Sequence, residues 1–266
     1  MSAVTAQNKV IPAIGLGTWE LRGRVCARIV EQALRLGYRH LDTAEMYDNE
    51  RDVGEGLHAS GLKRDDVFVT TKVWPTHFSP PELERAAKDS LTRLRLTDVD
   101  LLLLHWPSSR IPLSETIGAL CKVKHAGLTR HIGLSNFTGE VLEEAVKLST
   151  EPLICNQIEI HPFLDQSAAV AASRAHGMTV VAYSPVAKGA VRQNAVLAGI
   201  GKAHRKTAAQ VSLRFLLQQG FVVIPRTSKV ERLSENIAVF DFELSPQEME
   251  EIQKLARPDG SVLTSS

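Results

Sequence analysis

The fold is decided by one stretch, VFVTTK at residues 67–72, which is followed by VWP at residues 73–75. β-branched and aromatic residues fill its first five positions, which is typical of a strand, and the Trp-Pro pair ends it. Lys72 closes this apolar strand, whereas most lysines lie on solvated surfaces. We therefore expect the Lys72 ammonium to point into a site at the carboxyl end of the sheet.

Two neighbouring predicted strands also end on a residue with acid–base chemistry. Residues 39–42 (RHLD) end on Asp42, and residues 99–105 (VDLLLLH) end on His105. Tyr47 follows Asp42 by five residues, on the connection that leaves the first of these strands. A carboxylate, a phenol, an ammonium and an imidazole are thus predicted at the same end of successive strands.

The chain repeats a strand followed by a helix. Apolar runs predict strands at residues 13–16, 39–42, 67–72, 99–105, 131–135, 154–159, 179–183 and 222–224. Helical spacing predicts helices at residues 25–36, 49–60, 79–94, 113–126, 139–148, 165–176, 195–203, 208–219, 230–239 and 245–255, with Ser79, Asp165 and Ser245 as N-terminal caps. Such alternation favours a parallel sheet, and eight units close a barrel. We predict an α/β fold, a (β/α)8 TIM barrel in one domain over residues 1–266, with a short N-terminal hairpin.

The main rival is an open, doubly wound sheet that binds a dinucleotide at its first strand. That fold uses the pattern G-x-G-x-x-G after the strand. Residues 15–20 read Gly-Leu-Gly-Thr-Trp-Glu, so the pattern fails at its third glycine. The barrel is therefore the favoured architecture.

Composition narrows the class of protein. The chain has 31 basic and 30 acidic residues and a formal net charge of +1, which gives no general attraction to nucleic acid or to an anionic membrane. Its three cysteines are widely spaced, and no His-x-His or His-Glu-x-x-His motif occurs, so we expect neither a disulfide framework nor a metal site. No stretch has the length of a signal or membrane segment. We expect a cytoplasmic monomer.

In a barrel, the carboxyl ends of the strands surround one mouth, where barrel enzymes work. Alone, each residue has an ordinary structural explanation: a capping Asp42, a Lys72 that extends to solvent, or a hydrogen-bonded His105. Together they suggest chemistry. A lysine beside Tyr47 would lower the pKa of the phenol, Asp42 would balance the lysine charge, and His105 could orient a carbonyl oxygen. A proton donor facing a carbonyl needs a hydride source, which proteins take from a cofactor.

The sequence also resembles the aldo-keto reductase family along its whole length. The resemblance is closest to the bacterial 2,5-diketo-D-gluconate reductases, which also reduce methylglyoxal. It is carried by an ordered series of motifs, of which no single one is decisive. The motifs are residues 15–19 (GLGTW), 41–44 (LDTA) with Tyr47, 71–74 (TKVW), 100–107 (DLLLLHWP), 133–137 (GLSNF), 156–157 (NQ), 182–185 (AYSP) and 224–228 (IPRTS) with 235–236 (EN).

This resemblance implies roles residue by residue. Tyr47 matches the general acid, Lys72 and Asp42 the pair that tunes it, and His105 the group that orients the carbonyl. Pocket walls are implied at Trp19, Trp74 and Trp106. The implied cofactor is NADPH, held by Gly17, Thr18, Asp42, Ser135, Asn136, Gln157, Tyr183, Ser184, Pro185, Arg226, Thr227, Ser228, Arg232, Glu235 and Asn236. Within this set, amide groups suit the nicotinamide carboxamide, and the ring of Tyr183 suits stacking.

The residues after the eighth predicted strand bear on the choice of cofactor. Barrels often bind phosphate at this place, and guanidinium groups such as those of Arg226 and Arg232 suit phosphate oxygens. NADPH-dependent members of the family usually have lysine where Arg226 stands, so the residue differs while the charge is kept. We therefore expect NADPH rather than NADH.

The segments that cover the substrate in relatives are short in this chain. Residues 106–112 form one of them, and the other is a polar tail, residues 258–266, which we expect to be mobile. An open mouth predicts broad acceptance of small polar carbonyl compounds.

Other functions remain open. Barrel aldolases also place a lysine at a strand end, so Lys72 could form a Schiff base in a lyase. The protein could also bind NADPH without catalysis. A short-chain dehydrogenase is disfavoured, because Tyr183 and Lys188 are five residues apart rather than the four of that family's Tyr–Lys pair.

Overall fold

The structure is a computed structural model that describes residues 3–6 and 9–263. Its first element is the predicted hairpin, in which β1 (Ala3–Ala6) pairs antiparallel with β2 (Lys9–Pro12). Residues 7 and 8 of the predicted turn lie outside the described residues. Ile11 of β2 is buried, so the hairpin contributes to the interior of the sheet that follows.

Eight parallel strands then follow in sequence order, each hydrogen-bonded to the next. They are β3 (Leu16–Gly17), β4 (His40–Asp42), β5 (Phe68–Val73), β6 (Val99–Leu104), β7 (Thr129–Ser135), β8 (Leu153–Glu159), β9 (Thr179–Tyr183) and β10 (Val222–Val223). Each lies within three residues of its predicted bounds. The first strand is shorter than predicted, because Ile14 joins its neighbour only through an isolated bridge.

The two ends of this sheet meet. Ile14 bridges to Val223 and Gly17 to Arg226, both in parallel orientation, and the Val223 amide donates to the Ala13 carbonyl at 2.9 Å. These contacts join the first strand to the eighth. The fold is therefore the predicted (β/α)8 barrel, and the open doubly wound sheet is excluded.

Helices connect the strands and form the outer layer. They are α1 (Gly23–Arg35), α2 (Glu50–Ala59), α3 (Pro80–Leu94), α4 (Leu113–His125), α5 (Gly139–Leu148), α6 (Ser167–Ala175), α7 (Ala195–His204), α8 (Ala208–Gln218), α9 (Val230–Ile237) and α10 (Pro246–Gln253). Short 3₁₀ turns cover Glu45–Tyr47, Arg64–Asp66, Pro75–His77 and Ala187–Gln193. Among the described residues, no helix combines the length and apolarity that a membrane span requires.

The predicted helix caps differ in their outcome. Ser245 forms a capping box with Glu248, as the sequence pattern suggests. Ser79 does not, because its hydroxyl donates to the Glu82 carboxylate at 2.8 Å instead of accepting from a backbone amide. Asp165 lies outside α6, which begins at Ser167, but its carboxylate still accepts from the Ser167 amide at 2.9 Å.

The core has two layers because side chains alternate along each strand. On β6, Leu101 and Leu103 pack inside the barrel, whereas Leu102 and Leu104 pack in the larger cluster that includes the helices. All four are at most 1% exposed. Four successive apolar residues, 101–104, are the mark of a parallel sheet covered on both faces.

The tail is held more firmly than the expectation of a mobile segment allows. The Arg257 amide donates to the Phe163 carbonyl at 3.0 Å. Further on, the Glu159 carboxylate at the end of β8 accepts from the Ser261 hydroxyl at 2.6 Å and from the Val262 amide at 2.8 Å. The mobile-tail prediction is therefore wrong up to residue 263, and residues 264–266 lie outside the described part.

This attachment predicts a pH effect. Burial alone would raise the pKa of Glu159, but hydrogen bonds from His161, Ser261 and Val262 hold the pKa below its usual range. A carboxylate with a lowered pKa stabilises the attachment above its unfolded-state pKa, and the effect is lost as the pH falls through the folded-state value. We expect the protection of residues 257–263 from hydrogen exchange, measured relative to the intrinsic rate at each pH, to fall in acid. In Glu159→Gln exchange should already be fast at neutral pH; equal exchange in both proteins at neutral pH would contradict this role.

Candidate active site

Lys72, on β5, is the centre of the candidate site. Its side chain is fully buried, and its Nζ donates to Asp42 Oδ1 at 2.5 Å and to the Thr43 carbonyl at 2.8 Å. The Tyr47 hydroxyl lies 3.4 Å from the same nitrogen. Because a buried ammonium needs a countercharge and hydrogen-bond acceptors, these groups define where it sits.

The connection after β4 delivers Tyr47 to this lysine. It contains the 3₁₀ turn Glu45–Tyr47 and is held from behind by the buried side chain of Asn49. Asn49 Nδ2 donates to the Thr18 carbonyl at 2.8 Å and to the Leu21 carbonyl at 2.9 Å, and its Oδ1 accepts from Thr43 at 2.8 Å. From the sequence, Asn49 is predicted only to begin a helix.

Asp42 is held as firmly as the lysine that it pairs with. Its backbone carbonyl accepts from the amide of Thr18 at 3.0 Å and from the Thr18 hydroxyl at 2.9 Å. Its second carboxylate oxygen accepts from Gln157 Nε2 at 2.7 Å, across the barrel from β8. Gln157, which the resemblance assigns to the cofactor, therefore also orients Asp42.

His105 follows β6 and lies between two aromatic rings. Its imidazole packs edge-on against Tyr47, with ring centres 5.6 Å apart, and against Trp74, with ring centres 5.1 Å apart. The side chain is buried, and Nδ1 has no hydrogen-bond partner among the described residues. Burial, aided by the charge of Lys72, lowers the pKa of His105 to about 2. The ring is therefore neutral and can donate only one N–H bond.

The pKa of Tyr47 departs from the expectation. Burial raises the pKa of the phenol, and the opposing effect of Lys72 does not outweigh it. For Lys72, burial alone would lower the pKa, but the Asp42 carboxylate and Tyr47 hold it above its ordinary value. The prediction of a lowered Tyr47 pKa is therefore wrong in its net direction, although the sign of the lysine's influence is right. Tyr47 is a protonated phenol beside a protonated amine.

A second group of predicted residues lines the mouth beside His105. Asn136 has a left-handed backbone (φ 62°), and its Nδ2 turns back to donate to the His105 carbonyl at 3.0 Å. The Tyr183 hydroxyl donates to Asn136 Oδ1 at 2.9 Å, and the Ser135 hydroxyl donates to the Gln157 carbonyl at 2.9 Å. The ends of β7, β8 and β9 are thus joined into one polar wall.

Three residues assigned to the cofactor also have structural roles. A side chain at Gly17 would bring its Cβ within 2.7 Å of the Ile224 carbonyl, so glycine is needed where the barrel closes. Ser184 has a left-handed backbone (φ 50°), and the Pro185 carbonyl accepts from the buried Ser212 hydroxyl at 2.6 Å. These contacts fix the start of the connection after β9.

The two arginines after β10 differ in their surroundings. Arg226 turns toward the connection after β3, where its Nε donates to the Trp19 carbonyl at 3.0 Å and its guanidinium lies 3.6 Å from Glu20. Arg232, on α9, is exposed, and its guanidinium has no ion pair with any carboxylate in residues 9–263. Arg232 is therefore the more available of the two.

The remaining residues of that region are largely engaged within the protein. The Thr227 hydroxyl accepts from the Lys229 amide at 3.0 Å, while Ser228 is exposed. Glu235 accepts from Arg192 at 3.2 Å and from Thr207 at 2.7 Å. Asn236 is buried in α9.

The three tryptophans predicted as pocket walls differ in exposure. Trp19 is 38% and Trp106 36% exposed, while Trp74 is partly buried against His105. Lys188 Nζ lies 5.3 Å from the centre of the Trp19 ring, so the connection after β9 reaches the one after β3. Exposed aromatic rings beside buried polar groups are typical of a small-molecule site.

The chain matches known proteins along most of its length. Residues 13–257 match the model of the aldo/keto reductase family. The methylglyoxal reductase DkgB of Escherichia coli O157:H7 is 38% identical over 94% of this chain and 97% of its own length. An aldo-keto reductase of Mycolicibacterium smegmatis is 40% identical over 97% of this chain and 94% of its own.

Solved structures give the same result. A crystal structure provisionally described as 2,5-diketo-D-gluconic acid reductase B superposes with a TM-score of 0.97 at 46% identity, over 100% of this chain and 95% of that one. The aldose reductase of Schistosoma japonicum superposes with a TM-score of 0.93 at 35% identity, over 97% and 94%. The chain is an oxidoreductase that belongs to the aldo-keto reductase family.

Proposed function

We propose that the protein uses NADPH to reduce small aldehydes, ketones or dicarbonyls, such as methylglyoxal or 2,5-diketo-D-gluconate, to alcohols. The observation that carries the proposal is the convergence of Asp42, Tyr47, Lys72 and His105 at the barrel mouth, with Lys72 Nζ 2.5 Å from Asp42 and 3.4 Å from Tyr47. The comparisons support carbonyl reduction in general. The cofactor, the acid and the substrates are our inference.

The residues present fit a nicotinamide dinucleotide. Amide and hydroxyl groups of Ser135, Asn136 and Gln157 can hold a carboxamide, and the ring of Tyr183 offers a flat face beside them. The exposed guanidinium of Arg232 suits a 2′-phosphate. When bound, NADPH supplies the hydride that no side chain can provide.

The four central residues then have separable tasks. Neutral His105, whose Nδ1 has no hydrogen-bond partner in the described part of the chain, is suited to donate an N–H from Nε2 to the carbonyl oxygen of the substrate. Tyr47 donates its phenolic proton to the same oxygen as negative charge develops there. The Lys72 ammonium stabilises the phenolate that remains, and Asp42 keeps the ammonium in place.

A Schiff-base lyase is less well supported. A nucleophilic lysine must lose its proton, whereas the Asp42 carboxylate and Tyr47 hold the pKa of Lys72 above its ordinary value despite burial. Its nitrogen is also occupied by three oxygen neighbours. An NADPH-binding module without activity would not explain why Asp42, Tyr47, Lys72 and His105 converge at the barrel mouth.

A carbonyl panel tests the proposed function. We expect NADPH oxidation with methylglyoxal and other small polar aldehydes, with slower turnover of bulky apolar ketones. Treatment with borohydride and substrate should leave Lys72 unmodified. NADPH binding without turnover of any carbonyl would instead support the non-catalytic module.

Replacement of Arg232 tests the choice of cofactor. A charge-assisted bond to phosphate contributes about 1.5–3 kcal/mol. We therefore expect Arg232→Ala to weaken NADPH binding by about tenfold to a hundredfold, with NADH binding unchanged. Arg226→Ala should have a smaller and less selective effect, because Arg226 already contacts Trp19 and Glu20.

Cofactor titration by fluorescence quenching measures these changes, with the exposed Arg51→Ala as a matched control. Equal losses for NADPH and NADH in Arg232→Ala would mean that Arg232 supports the fold or contacts the pyrophosphate that both cofactors share. No loss for either cofactor would mean that the 2′-phosphate is bound by other residues.

A further inference from the structure

Glu45 joins two of the connections that surround the candidate site. It begins the 3₁₀ turn that ends at Tyr47, and its side chain is only 15% exposed. Its Oε2 accepts from the Trp74 amide at 3.0 Å, and its Oε1 lies 2.6 Å from His77 Nδ1. Both partners belong to the connection after β5, so one carboxylate spans the connections after β4 and β5.

These two connections carry the rings that enclose His105. Tyr47 lies on the first and Trp74 on the second, and both pack edge-on against the imidazole, at interplanar angles of 73° and 87°. The first connection also contacts β5 itself, where the Thr43 carbonyl accepts from Lys72 at 2.8 Å, and the connection after β3, where Asn49 donates to the Thr18 carbonyl at 2.8 Å. Glu45 adds a tie farther along, to the segment that carries Trp74.

We propose that Glu45 is a positioning residue that sets the spacing of Tyr47 and Trp74 around the carbonyl-binding position, through its bond to the Trp74 amide. This inference rests on the proposed function. In this proposal, Glu45 neither contacts the substrate nor transfers a proton. It acts by holding the proton donor and one pocket wall at fixed places beside His105.

The arrangement differs from an ordinary surface ion pair. Exposed pairs, such as Lys88–Glu84 on α3, contribute little, because solvent screens them and both side chains lose freedom. Glu45 instead accepts from the backbone amide of Trp74, the residue that directly follows β5. A charge-assisted bond of this kind fixes position as well as adding energy.

Replacing Glu45 should therefore affect turnover more than stability. Small displacements of catalytic groups can cost about a hundredfold in rate, so we expect Glu45→Ala to lower kcat by about tenfold and to raise KM several-fold. NADPH affinity should not change. Glu45→Gln keeps an acceptor for the Trp74 amide and should restore most of kcat, while His77→Ala should give a small loss.

The experiment combines steady-state kinetics with hydrogen exchange of residues 43–49 and 73–78, in wild type, the three variants and Glu84→Ala. We expect Glu45→Ala to speed exchange in both segments and Glu84→Ala to change nothing. Unchanged exchange in Glu45→Ala, or unchanged kcat in an active enzyme, overturns the inference.

The outcomes separate this inference from the proposed function. If wild type reduces no carbonyl, the proposed function fails, while the exchange data still decide whether Glu45 ties the two segments. If Glu45→Ala does not fold, Glu45→Gln and His77→Ala carry the test, since full loss of kcat in Glu45→Gln would contradict a role that an amide oxygen can fill.

Discussion

Tyr47→Phe is expected to lose nearly all carbonyl reduction while it keeps its affinity for NADPH. A proton donated from a fixed position in the transition state contributes roughly a hundredfold to ten-thousandfold in rate. The phenol lies 3.4 Å from Lys72 Nζ and packs edge-on against His105, and it is the only hydroxyl among Asp42, Tyr47, Lys72 and His105. The measurement is kcat with methylglyoxal, with NADPH titration in parallel.

The ring of phenylalanine keeps the packing against His105, so the variant removes the proton donor and little else. Tyr183→Phe is a matched control, since it also removes one hydroxyl, the one that donates to Asn136 at 2.9 Å. We expect a much smaller loss there. Substantial turnover by Tyr47→Phe would remove Tyr47 from the role of acid.

Lys72→Met is expected to cost both activity and stability. Methionine fills much of the same volume but leaves the buried Asp42 carboxylate without its cation, and breaking a buried ion pair costs about 3–5 kcal/mol. Reduction should fall by about a hundredfold or more, because the phenolate left after proton transfer loses the charge that stabilises it. Urea unfolding and kcat measure the two effects.

The same variant gives a pH signature in the reverse direction. Alcohol oxidation needs Tyr47 as a phenolate, so its rate rises with pH through the pKa of the phenol. Burial raises that pKa, and Lys72 opposes the rise. In Lys72→Met we therefore expect the residual oxidation to increase only at higher pH than in wild type. An unshifted profile would mean that Lys72 does not tune the phenol.

Much of the fold could be predicted because local sequence patterns indicate the strands and helices. Apolar runs such as residues 101–104 mark buried strands, and glycines after helices mark their ends. The convergence of Asp42, Lys72 and His105 could also be predicted, since parallel strands in a barrel present their carboxyl ends to one mouth. Topology alone brings those residues together.

Partners that depend on side-chain direction could not be predicted in the same way. Nothing in residues 154–159 indicates that Gln157 reaches Asp42, or that Glu159 receives the tail from residues 261 and 262. Glu45 and His77 are 32 positions apart in the sequence, and nothing in their sequence surroundings indicates that the fold brings them together. The raised pKa of Tyr47 has the same origin, because burial is a property of the folded mouth.

The most direct test of the central claim is the stoichiometry of the wild-type reaction with methylglyoxal. NADPH oxidation is followed by absorbance, product by chromatography, and the Lys72 side chain by peptide mass mapping after borohydride treatment. We predict one alcohol formed for each NADPH oxidised and no adduct at Lys72. A borohydride-stable adduct on Lys72, with no NADPH consumed by any carbonyl compound, would contradict the account.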